Sequence, residues 1–330
     1  MIRWRFQAPL IGAALAGCLV AAGCSAGGTS SAGPGNLEKT NLVVAAVPAL
    51  DSAAVYIAEQ RGLFTAEGLH VTVLPAISSK TVIQQQEAGK FDVTVGNYVS
   101  YILADAAQSA NSPTSLQIIA PGSIMQPGTQ EIVVPAGSPI QTVSQLQGKT
   151  IGVNVSGNIG TLLVESVLAD SAITNPTQAV HFKAIPFPDM AVALKRHEID
   201  AAWLPEPFIT QAEEVAGAVP LADADQGASQ GIPITGYVVT KGWAQKYPHT
   251  LAAFRAAILK AQAIAATDPG AVQSGMHQFA GTPARDAAIA VAPQYPTANS
   301  EALIGRLASL MLQFGMLNQK FNVSSMFQAG

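Results

Sequence analysis

The residues of this chain that could carry covalent or metal chemistry are few. They are Cys18 and Cys24 and five histidines: His70, His181, His197, His249 and His277. Gly23-Cys24-Ser25-Ala26-Gly27 matches the Gly-x-Ser-x-Gly pattern of a nucleophile elbow. That pattern works only on a strand-turn-helix, and here it falls in a stretch of small residues near the N-terminus, so it predicts no nucleophile. There is no phosphate-cradling Gly-x-x-x-x-Gly-Lys loop and no His-Glu-x-x-His pair. The histidines never fall at metal-ligating spacing. Each reads as a surface or internally satisfied side chain. No catalytic residue, metal or cofactor is expected.

The composition points the same way. Charged residues make up 12% of the chain, about half the usual ~25%. With 17 basic residues and no basic run, a nucleic-acid partner is not expected. Apolar residues make up 49%, ample for a core and far from the signature of disorder. At ~100–200 residues per domain, 330 residues suggest two domains or one large one.

The N-terminus has its own logic. Arg3 and Arg5 precede an apolar run, Leu10–Gly23, which is too short to span a bilayer comfortably. Leu15-Ala16-Gly17-Cys18 and Ala21-Ala22-Gly23-Cys24 each place a cysteine after small residues. This resembles a bacterial lipoprotein signal peptide, in which a diacylated cysteine becomes the new N-terminus. Cys24 is preferred to Cys18, because cleavage there leaves a polar, Gly- and Ser-rich linker. The expectation is a signal peptide over 1–23, a lipid anchor on Cys24 and a flexible tether over 24–40. Losing Arg3 and Arg5 gives the mature chain a net charge of 15 − 21 = −6. Apart from the anchor it has no thiol, hence no disulfide framework and no cysteine nucleophile.

The remaining sequence predicts alternating strands and helices. Strands are expected at 42–47, 69–74 and 91–95, with helices at 53–67 and 79–88 between them. The order recurs as strands at 150–155, 180–185 and 199–204, with helices at 161–169 and 190–196. Val43 to Asp92 is 49 positions, and so is Ile151 to Asp200. Two βαβαβ halves predict parallel α/β sheets in two lobes of one architecture. A further strand at 236–240 is followed by helical patterns at 248–267, 270–279, 283–291 and 300–314, expected to pack on the first lobe.

A family resemblance enters with Ala54-Val55-Tyr56-Ile57-Ala58-Glu59-Gln60-Arg61-Gly62-Leu63-Phe64 and Glu67-Gly68-Leu69-His70-Val71. It continues in Ala88-Gly89-Lys90-Phe91-Asp92-Val93, Leu146-Gln147-Gly148-Lys149-Thr150-Ile151-Gly152-Val153 and Glu198-Ile199-Asp200-Ala201-Ala202-Trp203-Leu204-Pro205-Glu206-Pro207-Phe208, and ends at Tyr247-Pro248. The ordered set, over about residues 42–280, resembles the nitrate/sulfonate/taurine-binding proteins of bacterial ABC importers and their thiamine-pyrimidine synthase-like relatives. The resemblance implies a two-lobed periplasmic-binding fold of the second type. Lobe I would hold 41–125 and 237–330, lobe II 130–232, with hinging crossovers near 121–130 and 231–236. Ligand would bind between the lobes, and closure would bury it.

In such a fold the strand C-termini and helix N-termini of both halves face one cleft. That places Asp51 and Ser52, and Ser156, Gly157, Asn158 and Thr161, in the two equivalent first turns. Ser79 and Lys80 open the second helix. Asn97 and Tyr98 follow the third strand, and Trp203 and Glu206 hold the matching place in lobe II. Helix N-termini there offer free N–H groups to an anion. Asp51, Ser52, Ser79 and Ser156 also belong to the residue types that cap helices. Core packing competes as the role of Trp203, a solvated surface for Lys80, and a first-turn acid for Glu206.

The function implied is an extracytoplasmic, membrane-tethered receptor, expected to be monomeric. It would deliver a small polar organic or oxyanion solute of the sulfonate, taurine or nitrate class to an ABC permease and its ATPase. A thiamine-precursor pyrimidine is the alternative ligand. An enzyme on the same fold is disfavoured, because such relatives use cysteines that the mature chain lacks.

Overall fold

The computed structural model describes residues 37–109 and 112–327. The expected signal peptide, Cys18, Cys24 and the tether up to residue 36 lie outside the described residues.

In the first lobe the chain runs β1 (Asn41–Ala46), α1 (Ala53–Gln60), α2 (Leu63–Ala66), β2 (His70–Pro75), α3 (Ser79–Glu87), β3 (Val93–Asn97), α4 (Tyr98–Ala106) and β4 (Leu116–Ile124). It crosses to β5 (Gln130–Val134), β6 (Thr150–Val153), α5 (Ile159–Asp170), β7 (His181–Ala184), α6 (Phe187–Lys195), β8 (Ala201–Pro205), α7 (Phe208–Ala216) and β9 (Val219–Asp223). It returns as β10 (Pro233–Thr240) and closes with α8 (Lys241–Lys246), α9 (Pro248–Thr267), α10 (Pro269–Phe279), α11 (Ala284–Ile289) and α12 (Glu301–Gln313). The passages between the sheets are therefore 125–129 and 224–232.

The described residues form two five-stranded sheets, ordered β2-β1-β3-β10-β4 and β7-β6-β8-β5-β9. Both are mixed, which corrects the expectation of parallel sheets. β1 is parallel to β2 and β3, and β6 to β7 and β8. β10 runs antiparallel to β3 and β4, as β5 does to β8 and β9. The cause is topological: each sheet takes in, reversed, the strand that has just crossed from the other lobe. The helix expected over 53–67 is also two helices. Gly62 takes φ +65°, a left-handed conformation that stops α1 before Leu63 restarts the turn.

Of the C-terminal helices, α9 packs on α1, α2 and β4, and α10 on α1. Phe64 stacks on Phe254 at 5.3 Å. α12 packs against α4 and β10, and the apolar cluster filling the second lobe runs on into α4 and α12.

The repeat has a physical basis in two aspartates. Asp92 accepts from the N–H of Val43 at 2.9 Å, and its own N–H donates to the Val43 carbonyl at 2.9 Å. Asp200 holds Thr150 in the same way, at 2.8 and 2.9 Å. These pairs are 49 and 50 residues apart, so the partner of Val43 in the repeat is Thr150, one residue from the Ile151 that the spacing suggested. Each acid pins the start of its lobe's first strand to the start of the third.

The segment before β1 is also clasped. Glu38 accepts from the N–H groups of His249 and Thr250 at 3.1 and 3.0 Å, capping α9 from more than 200 residues away. Lys39 ion-pairs with Asp92, which also accepts from Trp243 Nε1 at 2.8 Å.

Asp92 thus serves three donors while buried, whereas Asp200 serves one side-chain-accepted N–H. Asp92→Ala is expected to lower stability by about 2–4 kcal/mol, and Asp200→Ala by about 1–2 kcal/mol. Urea midpoints compared at equal m-values measure both. Equal losses would refute the difference in donor count as the cause.

Candidate functional site

The C-terminal ends of β1, β3, β6 and β8 open on one cleft between the sheets. The first lobe contributes Val47, Ala49, Asp51 and Ser52 beyond β1, Ser79 at the start of α3, and Gly96 and Asn97 at the end of β3. The second contributes Asn154 and Ile159 around the turn after β6, Phe187 at the start of α6, and Trp203 and Pro205 on β8. Gln130, Ile234 and Thr235, on the two crossing strands, complete the lining. The cavity there is small, about 40 Å³. Wider hollows elsewhere, one of them about 610 Å³ beside Leu103 and Phe321, are surface grooves remote from this convergence.

Local packing explains how the side chains come to be there. Ser78, not Ser79, caps α3, its Oγ accepting from the Thr81 N–H. Ser79 Oγ is thereby free to accept from Asn97 N at 3.0 Å and Asn97 Nδ2 at 2.7 Å. Asn97 Oδ1 in turn caps α4 through the Ser100 N–H at 2.9 Å. Position 96 must be glycine, because a Cβ there would lie 2.2 Å from the Ser79 Cβ. In the second lobe Trp203 lies against Gly160, where a Cβ would come within 2.4 Å of the indole. The Phe187 and Trp203 rings meet at 5.8 Å, tilted by 53°.

Among the described residues Asp51 is the only titratable one in the lining. It accepts from Ser123 Oγ at 2.6 Å and Gln130 Nε2 at 3.1 Å, and its carbonyl accepts from Thr235 Oγ1 at 2.9 Å. Burial without a cation pushes its carboxyl up to about 6, against the opposing effect of the Ser123 and Gln130 hydrogen bonds.

Asp51, Ser52, Ser79, Asn97 and Trp203, chosen from the sequence, are all on the lining. The others fall elsewhere. Lys80, Ser156 and Gly157 are exposed. Tyr98 is buried beneath Gly236. Thr161 Oγ1 accepts from the Gly157 N–H at 3.0 Å. Asn158 and Glu206 bridge the lobes beside the cleft. Asn158 Oδ1 accepts from Ser100 Oγ at 2.9 Å. The Glu206 carbonyl accepts from the Leu50 N–H at 3.0 Å, and its carboxylate from Val291 N at 3.3 Å and Thr210 N at 3.2 Å.

The sequence reading missed Gln130, Asn154, Phe187 and Thr235. The repeat could have found two of them. With Thr150 matched to Val43, the offset is 107, which maps Val47 to Asn154 and Ser52 to Ile159. With Asp200 matched to Asp92, it is 108, which maps Ser79 to Phe187 and Asn97 to Pro205. All eight of these positions line the cleft.

Three buried side-chain atoms of the lining have no hydrogen-bond partner among the described residues: Gln130 Oε1, Asn154 Oδ1 and Trp203 Nε1. Buried polar atoms are normally paired, so three unpartnered ones on a single lining stand out.

Two sheets, each of five mixed strands with a cleft at the strand ends between them, define the two-lobed periplasmic-binding-protein fold. The sequence model of the family described as NMT1/THI5 like matches residues 49–272, and the chain belongs to that family. The fold is similar to that of the alkanesulfonate-binding protein SsuA from Xanthomonas axonopodis pv. citri bound to MOPS, with TM-score 0.73, 17% identity, and coverage of 89% of this chain and 99% of that one. It is also similar to the periplasmic aliphatic sulphonate-binding protein SsuA from Escherichia coli, with TM-score 0.68, 17% identity and coverage of 88% and 98%. The periplasmic nitrate-binding protein NrtA from Synechocystis PCC 6803 matches with TM-score 0.71, 13% identity and coverage of 88% and 85%. No curated protein matches the sequence.

The raised Asp51 carboxyl has a pH signature. Between about pH 6 and the ordinary 3.8, the folded protein holds a proton that the unfolded chain has released. Stability therefore falls as pH rises through this window, and above it the buried charge costs on the order of 3 kcal/mol. Asp51→Asn is expected to stabilise the protein relative to wild type most above pH 6, with the gain shrinking toward pH 4. Thermal unfolding of both proteins across that range checks this; a gain independent of pH would assign the effect to another cause.

Proposed function

We propose that this protein is an extracytoplasmic solute receptor of an ABC importer, anchored to the membrane by a lipid on Cys24 and working as a monomer. It captures a small polar organic or oxyanion solute between its lobes and hands it to a permease driven by an ATPase. The observation that carries this reading is the set of unpartnered buried polar atoms at the cleft. They come from both β8 and the turn after β6 of one lobe and from the strand that joins the lobes. The sulfonate and nitrate in the names of structurally similar proteins, and taurine from the family resemblance, define the first solutes to test. A thiamine-precursor pyrimidine is the alternative. The reading requires no chemistry of the receptor, which accords with a sequence whose only cysteines are Cys18 and Cys24.

Closure supports transport because it buries the solute and changes the outer shape at once. Ligand released from the purified protein by denaturation should be identifiable by mass spectrometry. Adding it back at 100 times its Kd should stabilise the fold by about 2.7 kcal/mol. Small-angle scattering should then give a smaller radius of gyration than for protein stripped of ligand. A verified ligand that leaves the radius unchanged would rule out closure as the signal.

The anchor is tested separately. Cys24→Ser should move the protein from the membrane to the soluble fraction, since two acyl chains suffice for stable attachment. Retention by Cys24→Ser together with release by Cys18→Ser would assign the anchor to Cys18.

A further inference from the structure

The two lobes offer the cleft unlike surfaces. At three of the four repeat-related pairs the first lobe is polar where the second is apolar: Ser52 against Ile159, Ser79 against Phe187, and Asn97 against Pro205. The second lobe adds the Trp203 indole beside Phe187. The fourth pair is reversed, Val47 against Asn154, so polar groups reach the cleft from both lobes, while its aromatic surface, Phe187 and Trp203, belongs to the second.

The polar end of a guest meets acceptors. Each oxygen of the Asp51 carboxylate takes one recorded donor, Ser123 Oγ or Gln130 Nε2, and a carboxylate oxygen has room for two. Because Gln130 turns its amide N–H toward Asp51, its Oε1 is the atom left without a partner. Asn154 Oδ1 is a second unpartnered acceptor. Among the fully buried unpartnered atoms of the lining there is one donor, Trp203 Nε1, and the Ser52 hydroxyl and the Asn154 Nδ2 amide add donor capacity with no hydrogen bond within the described residues. Among the described residues lining the cleft there is no Lys, Arg or His. Lys80, next to Ser79 in sequence, is exposed. An oxyanion without N–H groups would enter beside a buried carboxylate with no cation to offset the repulsion, and would leave both amide carbonyls unpaired.

We propose that the receptor selects its solute by a nitrogen end: a compact organic base whose ammonium or amidine N–H groups sit on Asp51 and the Gln130 and Asn154 carbonyls, with its apolar body against Phe187 and Trp203. This rests on the cleft being the solute site. It separates this protein's ligand class from nitrate and plain sulfonates, while an amine-bearing sulfonate stays inside the class, its oxygen end reaching the Trp203 N–H.

Matched probes test the proposal on ligand-stripped protein by calorimetric titration: benzamidine against benzenesulfonate, taurine against ethanesulfonate, and nitrate alone. At least one N–H-bearing probe is expected to bind at least tenfold more tightly than its partner and than nitrate. In Asp51→Asn that preference should shrink to less than threefold. Tighter binding of nitrate, benzenesulfonate or ethanesulfonate overturns the proposal and leaves the receptor reading standing. A preference that survives intact in Asp51→Asn overturns it too. Binding of no N–H probe counts against it, and if no oxyanion binds either, the receptor reading falls with it. The ranking on the wild-type protein decides the matter even where the variant fails to fold.

Discussion

A carboxylate buried at the junction of two lobes has to be satisfied by whatever passes through that junction. Asp51 holds Ser123 near the end of β4, Gln130 at the start of β5 and, through its carbonyl, Thr235 on β10. Those three residues lie on the strands that lead into and out of the two passages between the lobes. Ser123 and Thr235 are themselves 2.9 Å apart. The same acid is the one ionisable group among the described residues that line the cleft. Its remaining acceptor capacity and the geometry of the passages are thus parts of one hydrogen-bond network. A donor that arrives at Asp51 joins the network that holds the ends of both passages.

The two halves of the chain share a frame and differ in what they hang on it. Asp92 and Asp200 do the same structural work in each, pinning first strand to third. Equivalent turns then reach the cleft from both sides, yet at three of the four paired positions the first lobe places a hydroxyl or an amide where the second places isoleucine, phenylalanine or proline; the fourth, Val47 against Asn154, is reversed. Gly96 and Gly160 mark where each half needed closest approach: one lets Ser79 reach Asn97, and the other lets Trp203 lie on the first turn of α5.

Much of this was legible in the sequence where local pattern and tertiary role coincide. The helix expected over 248–267 has those bounds in the structure, because its buried stripe of Leu251, Phe254, Ile258 and Ala261 repeats at helical spacing. β4 was not legible. It is buried on both faces, so it lacks alternation, and it carries Pro121 and Gly122, which read as a turn. α4 was missed for a different reason: Asn97 is both the last residue of β3 and the cap of α4, so no loop separates them. At the site, Asp51, Ser52, Ser79, Asn97 and Trp203 could be named at strand ends and helix starts once the resemblance had supplied the fold, and the repeat would have added Asn154 and Phe187. Gln130 and Thr235 could not, since they sit on crossing strands whose placement depends on the whole topology.

The clasp on the segment before β1 has a mechanical consequence. β1 is an interior strand, in register with β2 over six residues from Asn41 to Ala46 and with β3 from Val44 to Ala46, and both neighbours are parallel to it. A pull on the chain at Leu37 along the strand loads both ladders in shear, so their rungs share the force and do not peel one after another. Before that load reaches Asn41 it must break the Lys39–Asp92 ion pair and draw Glu38 off the first turn of α9. The end of the chain nearest the expected tether is therefore stitched to the sheet in the direction in which sheets resist tension best. A force applied at that end is carried by the first lobe's backbone and not by the passages between the sheets.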